Sequence, residues 1–298
     1  MSLRDSAVLV TANFSRWRPK IADKKISREV TESHGTSSSA GDFLKYLFPT
    51  FRVGSENKPT YPELQIVLNT LDTLYVWHMA HTLTWNGKGV RLLPVAMAEE
   101  HRAKFDEVAG KLPSLLDDMT AGFYEALSRA RQELNGMFRE ADYPSKYDLR
   151  DKFQVSVAYD AIPEIITSNL PASVRDLINS QIETRVSSAL ESSKKDAWQR
   201  LYKCVENLQV KLASPGAIFR DSLVGNVREC CDLMATWNVS GDVHMEEVRQ
   251  AVLADVLRYD TDDIRNDSGV RSITADAASS VLRTIRKITH VQEEGASA

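Results

Sequence analysis

Three cysteines, thirteen glycines and ten prolines are all that this 298-residue chain holds of the residues that cross-link or punctuate a backbone. Cys204 stands alone and Cys230 and Cys231 are adjacent, so no C-x-x-C spacing exists and no disulfide framework can form. A reducing compartment is the expected home. Glycine and proline make up about 8% of the chain, against roughly 12% in average usage, which implies long uninterrupted elements. With 43% apolar residues the chain can bury a core, which excludes global disorder and low complexity. No apolar run approaches the roughly 18 residues of a membrane span. The first residues, MSLRDSAVLVTANF, carry an acidic side chain and no signal-peptide core. A soluble, cytoplasmic protein with no membrane partner is expected.

The periodicity of what remains predicts an α+β protein, predominantly α. Ala7 to Phe14 is a short β-branched run and reads as a buried strand. TWNGKGVRLLP (Thr84 to Pro94) reads as a turn and short strand, and Lys152 to Asp160 alternates Phe153, Val155, Val157 and Tyr159 on one face. These three strands are expected to form a small antiparallel sheet. Pro62 opens a helix whose stripe runs Leu64, Leu68, Leu71, Tyr75, His78 and Thr82. From about 95 to 138, Phe105, Leu112, Met119 and Ala126 form a heptad-like seam with Val108 and Leu115 between them, and Pro113 predicts a kink or restart. From 171 to 213, Val174, Ile178, Ile182, Val186 and Leu190 recur every four residues; after a polar break at SSKKD the stripe resumes at Trp198, Leu201, Val205, Leu208 and Leu212. These two long helices are expected to form an antiparallel hairpin or coiled-coil arm, ended by Ser214-Pro215-Gly216.

Two shorter helices, about 217–236 and 243–257, complete a single domain over residues 1–258. SHGTSSSAGD (33–42) reads as a connector, YDTDDIRNDSG (259–269) as an acidic linker, 270–290 as a terminal amphipathic helix and 291–298 as a frayed tail.

No catalytic, cofactor-binding or metal-binding residue is assigned. His78-x-x-His81 has ligand-like spacing, but no nearby cysteine or paired acid completes a site, and His101 follows Glu99-Glu100 outside the H-E-x-x-H frame. Gly87-Lys88-Gly89 lacks the P-loop frame and reads as a hairpin turn. Cys230 and Cys231 point about a hundred degrees apart on a helix, one toward the core and one toward an edge. The pairs Asp117-Asp118, Glu246-Glu247 and Asp262-Asp263 read as solvated faces.

Two surfaces stand out. Ser15 to Arg28 (SRWRPKIADKKISR) sets Arg16, Arg18, Lys20, Lys24, Lys25 and Arg28 against one Asp23, with Trp17 among them. Cations beside an aromatic suit a single-stranded nucleic acid; the competing reading buries Trp17 and pairs the cations with acids on neighbouring helices. The second is the terminal helix, whose stripe Val270, Ile273, Ala277, Val281, Ile285 and Ile288 needs a docking partner: the protein's own body, a sister chain or another protein. Residues 1–54 hold nine basic and five acidic side chains, whereas Asp242 to Asp263 hold seven acidic and two basic. The formal net charge of −4 therefore sums separated patches.

Four phrases, TLTWNGKGVRLLP (Thr82 to Pro94), MFREADYPSKYDLRDKF (Met137 to Phe153), DAWQRLYKCVENL (Asp196 to Leu208) and FRDSLVGNVRECCDLMATWNVSGD (Phe219 to Asp242), resemble a phage and mobile-element family, the domain-of-unknown-function family numbered 3150. The resemblance runs from the first strand to about Leu257. It implies an accessory or adaptor protein encoded beside a MoxR-type AAA+ ATPase and a von Willebrand factor A protein, and it assigns no catalytic residues. The expected function is thus non-enzymatic, by self-assembly into a homo-oligomer or by binding that ATPase. The alternatives are a nucleic-acid-binding recombination or replication accessory using the Arg16 to Arg28 surface, and a virion or assembly component.

Overall fold

The computed structural model describes residues 3–34, 43–85, 89–165, 170–214 and 219–289. In chain order these form α1 (Leu3–Ser6), β1 (Ala7–Ser15), β2 (Lys20–Ala22), α2 (Lys24–Ser33), β3 (Leu44–Tyr46), β4 (Thr50–Val53), β5 (Glu56–Pro59), α3 (Pro62–His81), β6 (Leu83–Thr84) and β7 (Val90–Pro94). Then follow α4 (Ala98–Leu134), α5 (Lys146–Arg150), β8 (Gln154–Asp160), α6 (Ala172–Ala213), α7 (Asp221–Trp237), α8 (Val243–Ala251), a π-turn (Val252–Val256), α9 (Thr261–Asn266) and α10 (Ser268–Thr289). The Asn86-Gly87 turn with Lys88, most of the 33–42 connector, the Pro215-Gly216 break, His290 and the expected frayed tail lie outside the described residues.

Helices dominate, and the sheet is small and antiparallel, the class that the periodicity predicts. The three expected strands share one sheet in the order β6-β7-β1-β8. β1 runs antiparallel to β7 with Ala7 opposite Pro94 and Thr11 opposite Val90, and β6 extends β7 with Leu83 opposite Leu92. Among the described residues no helix is long and apolar enough to cross a membrane.

The chain divides into two compact units, one of residues 1–11, 78–101 and 158–298, the other of 12–77 and 102–157. This differs from the single domain expected over 1–258. The passages between units fall inside β1, α3, α4 and β8, so no linker composition announces them.

In the second unit α3 and α4 bury their stripes on each other: Leu64, Val67, Leu68, Leu71 and Leu74 meet Val108, Leu112, Leu116, Met119 and Phe123. The seam at Phe105, Leu112, Met119 and Ala126 is buried as its spacing predicts, with Leu116 rather than Leu115 completing it. α4 continues through Pro113 without a restart. The carbonyl left without a donor there belongs to Ala109, on the exposed face, where water can serve it. The basic stretch contains elements that periodicity missed. Asp23 caps α2 by accepting from the Lys25 and Ile26 amides, and β2 pairs with β3. Lys45, 2% exposed, is anchored by Asp142, Asp23 and the Met137 carbonyl.

In the first unit α6 packs on α10 and α7. Each long helix therefore finds its own partner, α4 on α3 and α6 on α10. α6 runs unbroken through SSKKD, because this polar stretch is where it meets the end of β6. Ser193 donates to the Thr84 carbonyl, and Asp196 accepts from the Thr84 amide and hydroxyl. Arg200 grips Asp196 through Nε at 2.8 Å and Nη2 at 3.1 Å while donating to the Ala80 and Thr82 carbonyls. Arg91 donates to the Thr82 carbonyl and hydroxyl and lies 3.7 Å from Asp196. Two guanidiniums thus satisfy carbonyls at the C-terminal end of α3, where the helix dipole favours cations.

The acidic segment 259–269 is not a linker. Asp260 caps α9 and Asp267 accepts from the Gly269 and Val270 amides at the start of α10, so the acids initiate helices. Ile264 between them is fully buried.

Replacing Asp196 with alanine leaves Arg91 and Arg200 without their shared counter-charge. The expected loss is about 3–5 kcal/mol of unfolding free energy, read by urea denaturation with the slope unchanged.

Candidate functional site

The cations of the first candidate surface are largely engaged within their own unit. Arg16 lies over the Tyr75 ring at 4.7 Å and pairs with Asp72, which Arg18 also holds at 2.7 and 2.8 Å. Lys20 sits over Tyr46, and Lys25 meets Glu29 at 3.7 Å. Trp17 is half-buried and packs edge-on against Phe48. Lys24 and Arg28 make no ion pair among the described residues. Arg16 and Arg18 thus share one acid and Lys25 meets another, while Lys20, Lys24 and Arg28 have no ion-pair partner among the described residues, and all of the six but Arg16 are exposed.

No cluster of three or more metal-ligating side chains occurs among the described residues. His78 meets His101, a residue outside the His78-x-x-His81 spacing. His78 Nδ1 lies 2.9 Å from His101 Nε2, and His101 Nδ1 lies 2.9 Å from the Tyr159 hydroxyl. Burial, with His101 and Arg91 adding to it, pushes His78 down to about 3. Burial, with His81 adding to it, pushes His101 down to about 4. Twenty-three residues separate the pair, so no local spacing reveals it.

Cys230 and Cys231 are both buried, because α7 is covered by α6 on one side and α8 on another. The expectation of one core and one edge position therefore fails for this pair. Burial raises the Cys231 thiol to about 12, far from a reactive thiolate.

The terminal helix docks on its own unit. Of its expected stripe, Val281 and Ile285 are buried, Val270, Ala277 and Ile288 are half-buried, and Ile273 stays 53% exposed. The exposed end borders a groove of about 300 Å³ between α10 and the π-turn. Val248 and Val281 form its apolar floor, with Ile273 and Ala277 along one wall and Asp255 and Arg258 on the opposite rim.

The π-turn is closed by the Leu257 amide donating to the Val252 carbonyl, five residues back, a geometry that recurs at functional sites. In an α-helix Asp255 and Arg258 would stand three apart on one face and could pair. Here neither makes an ion pair among the described residues; Arg258 lies over the Tyr259 ring instead. The groove thus offers an apolar slot flanked by one anion and one cation. Periodicity placed Ile273 and Ala277 on the right helix, but nothing in the sequence marks the π-turn that faces them.

No family model, no curated protein and no solved structure matches this chain. The resemblance to family 3150 therefore rests on its four phrases alone.

The two histidines set a pH dependence. An unfolded histidine protonates near 6.5, while both folded rings resist protonation until well below that value. Stability is full above pH 6.5 and falls as the pH drops toward the folded values, because only the unfolded chain takes up protons in that window. Between pH 6.5 and about 5 the expected slope is roughly 1 kcal/mol per pH unit, after allowing for solvent screening. Urea titrations across that range read it, and His101→Gln should flatten it; an unchanged slope in the variant counts against the assignment.

Proposed function

We propose that this protein is a non-enzymatic accessory of a phage or mobile element, working in the cytoplasm of its bacterial host by holding a protein partner. The groove between α10 and the π-turn is the observation that carries the reading. It combines an apolar floor, an exposed Ile273 and two charges of opposite sign that its own unit leaves without ion-pair partners among the described residues. A slot of this size suits one large apolar side chain, and rim charges of both signs fix the orientation of whatever chain delivers it.

The partner favoured by the sequence resemblance is a MoxR-type AAA+ ATPase. In that arrangement the nucleotide belongs to the partner, and this chain contributes a surface. The half-exposed terminal helix plays the recruiting part through its outer edge while its inner edge holds it to the unit.

Capture of a purified MoxR-type AAA+ ATPase tests the reading. The intact chain should retain it, and Ile273→Glu or Arg258→Glu should weaken retention at least about tenfold, the effect of losing about 1.4 kcal/mol. Melting temperatures of the variants should stay close to that of the parent, since both side chains are exposed. Equal retention by all three proteins, or none by the intact chain, removes the proposal.

A further inference from the structure

α6 carries one cysteine, Cys204, beside its buried Leu201, Val205 and Leu208, and α7 carries Cys230 among its buried Val227, Cys231 and Met234. The Cys230 thiol donates a hydrogen bond to the Cys204 sulfur. Arg200, one turn before Cys204, lies over the ring of Trp237, two turns after Cys230, so the two helices run antiparallel. Cys204 stands nine residues before the end of α6 at Ala213, and Cys230 nine residues after the start of α7 at Asp221. Equal counts from the turn set both cysteines at one height, about 14 Å from the helix ends at 1.5 Å per residue. The flank agrees with the height. Tyr202 accepts from Arg286 of α10 at 2.9 Å, and two residues are about 200° of helix. Cys204 therefore leaves α6 on the side away from α10, where α7 packs.

We propose that Cys204 is a site of oxidation by hydrogen peroxide and that Cys230 resolves it into a reversible disulfide between α6 and α7. Cys204 is the half-buried member of the pair and Cys230 the buried one, so a small oxidant reaches Cys204 first. The hydrogen bond from Cys230, with Arg200 and Lys203 adding to it, outweighs burial and holds Cys204 below the ordinary thiol value, which raises its thiolate fraction. Donating that proton, together with burial, raises Cys230. The two thiols thus take different parts, one attacking the oxidant and the other resolving the product.

The Cys204 thiolate attacks one peroxide oxygen, the O–O bond breaks, and the leaving hydroxide takes up a proton as water; Cys204 is left as a sulfenic acid. The Cys230 sulfur then attacks the Cys204 sulfur and the S–O bond breaks. The second hydroxide leaves with the Cys230 proton as water. Two thiols have lost two electrons and the peroxide has gained them. A disulfide brings its sulfurs to about 2.0 Å, a short closure for thiols that already share a hydrogen bond. Cys231 stands about a hundred degrees further round α7 and off this line. A single reducible bridge is not the structural framework that the cysteine spacing excludes, and it suits a reducing compartment, where disulfides are transient and redox-sensing. By closing the chain from 204 to 230 it restricts the unfolded state, so the oxidised protein is the more stable form.

This site lies within the first unit and does not rest on the groove reading. Treatment of the reduced full chain with a slight excess of hydrogen peroxide tests it. Tryptic mass mapping should find the peptide that begins at Cys204 joined to the one that holds Cys230, within one chain, and dithiothreitol should release them. Cys204→Ser should abolish the bridge and Cys231→Ala should keep it. Cys230→Ala should stop at the sulfenic acid of Cys204, trapped as a dimedone adduct. The urea midpoint of the parent should rise on oxidation and return on reduction, while that of Cys204→Ser ignores peroxide. No bridge in the parent, a bridge that persists in Cys204→Ser, its loss from a Cys231→Ala chain whose circular dichroism matches the parent, or a bridge that joins two chains overturns the inference.

Discussion

The first unit depends on Asp196 and the two guanidiniums that share it. Arg91 comes from β7 and Arg200 from α6, and both donate to carbonyls at the end of α3. A helix end with four unserved carbonyls is costly to bury; two positive groups satisfy them and suit the negative end of the dipole, while one carboxylate balances the charge. Burial by itself would raise the Asp196 carboxyl, but the Arg200 guanidinium and the Thr84 donors outweigh it and hold the group below the ordinary carboxylate range. Arg200 further lies over the Trp237 ring at 5.0 Å, which ties α7 to the same cluster. Strand, long helix and cap are thus registered by one polar knot, and the apolar stripe of α6 from Ala189 onward takes its place around it.

The second unit uses a different anchor. Lys45 is a buried cation with two carboxylates and a carbonyl around its ammonium, and Arg16 is a cation held between aromatic faces and Asp72. Both belong to the charge excess of residues 1–54. Part of that excess is spent inside the fold on these two anchors, while Arg18, Lys20, Lys24, Lys25 and Arg28 stay exposed.

Helix and strand positions were largely legible because their periods are local. Steps of three and four placed α3, α4, α6 and α10 close to their observed bounds, while a β-branched run placed β1, turn residues placed β7 and alternation placed β8. The polar interruptions were harder. SSKKD looked like a break and the acids of 259–269 like a linker, yet Ser193 and Asp196 bond to the end of β6, and Asp260 and Asp267 start helices. A polar residue in a pattern says that a partner is needed; only the fold says whether that partner is water, a helix end or an arginine. The candidate sites divide the same way. Ile273 and Ala277 were readable as one helical edge, whereas Asp255 and Arg258 gained meaning only from a π-turn that no spacing announces.

The sequence by itself determined the class of the protein, its long helices and its three core strands, because hydrophobic period is a property of neighbouring residues. Tertiary structure decided the rest: that the chain forms two units divided inside continuous elements, that α4 and α6 bury separate faces, that His78 pairs with His101, and that Arg16 and Arg18 converge on Asp72. Each of these turns on which distant residues become neighbours, and that is settled by the burial of whole faces and the pairing of buried charges rather than by any local spacing.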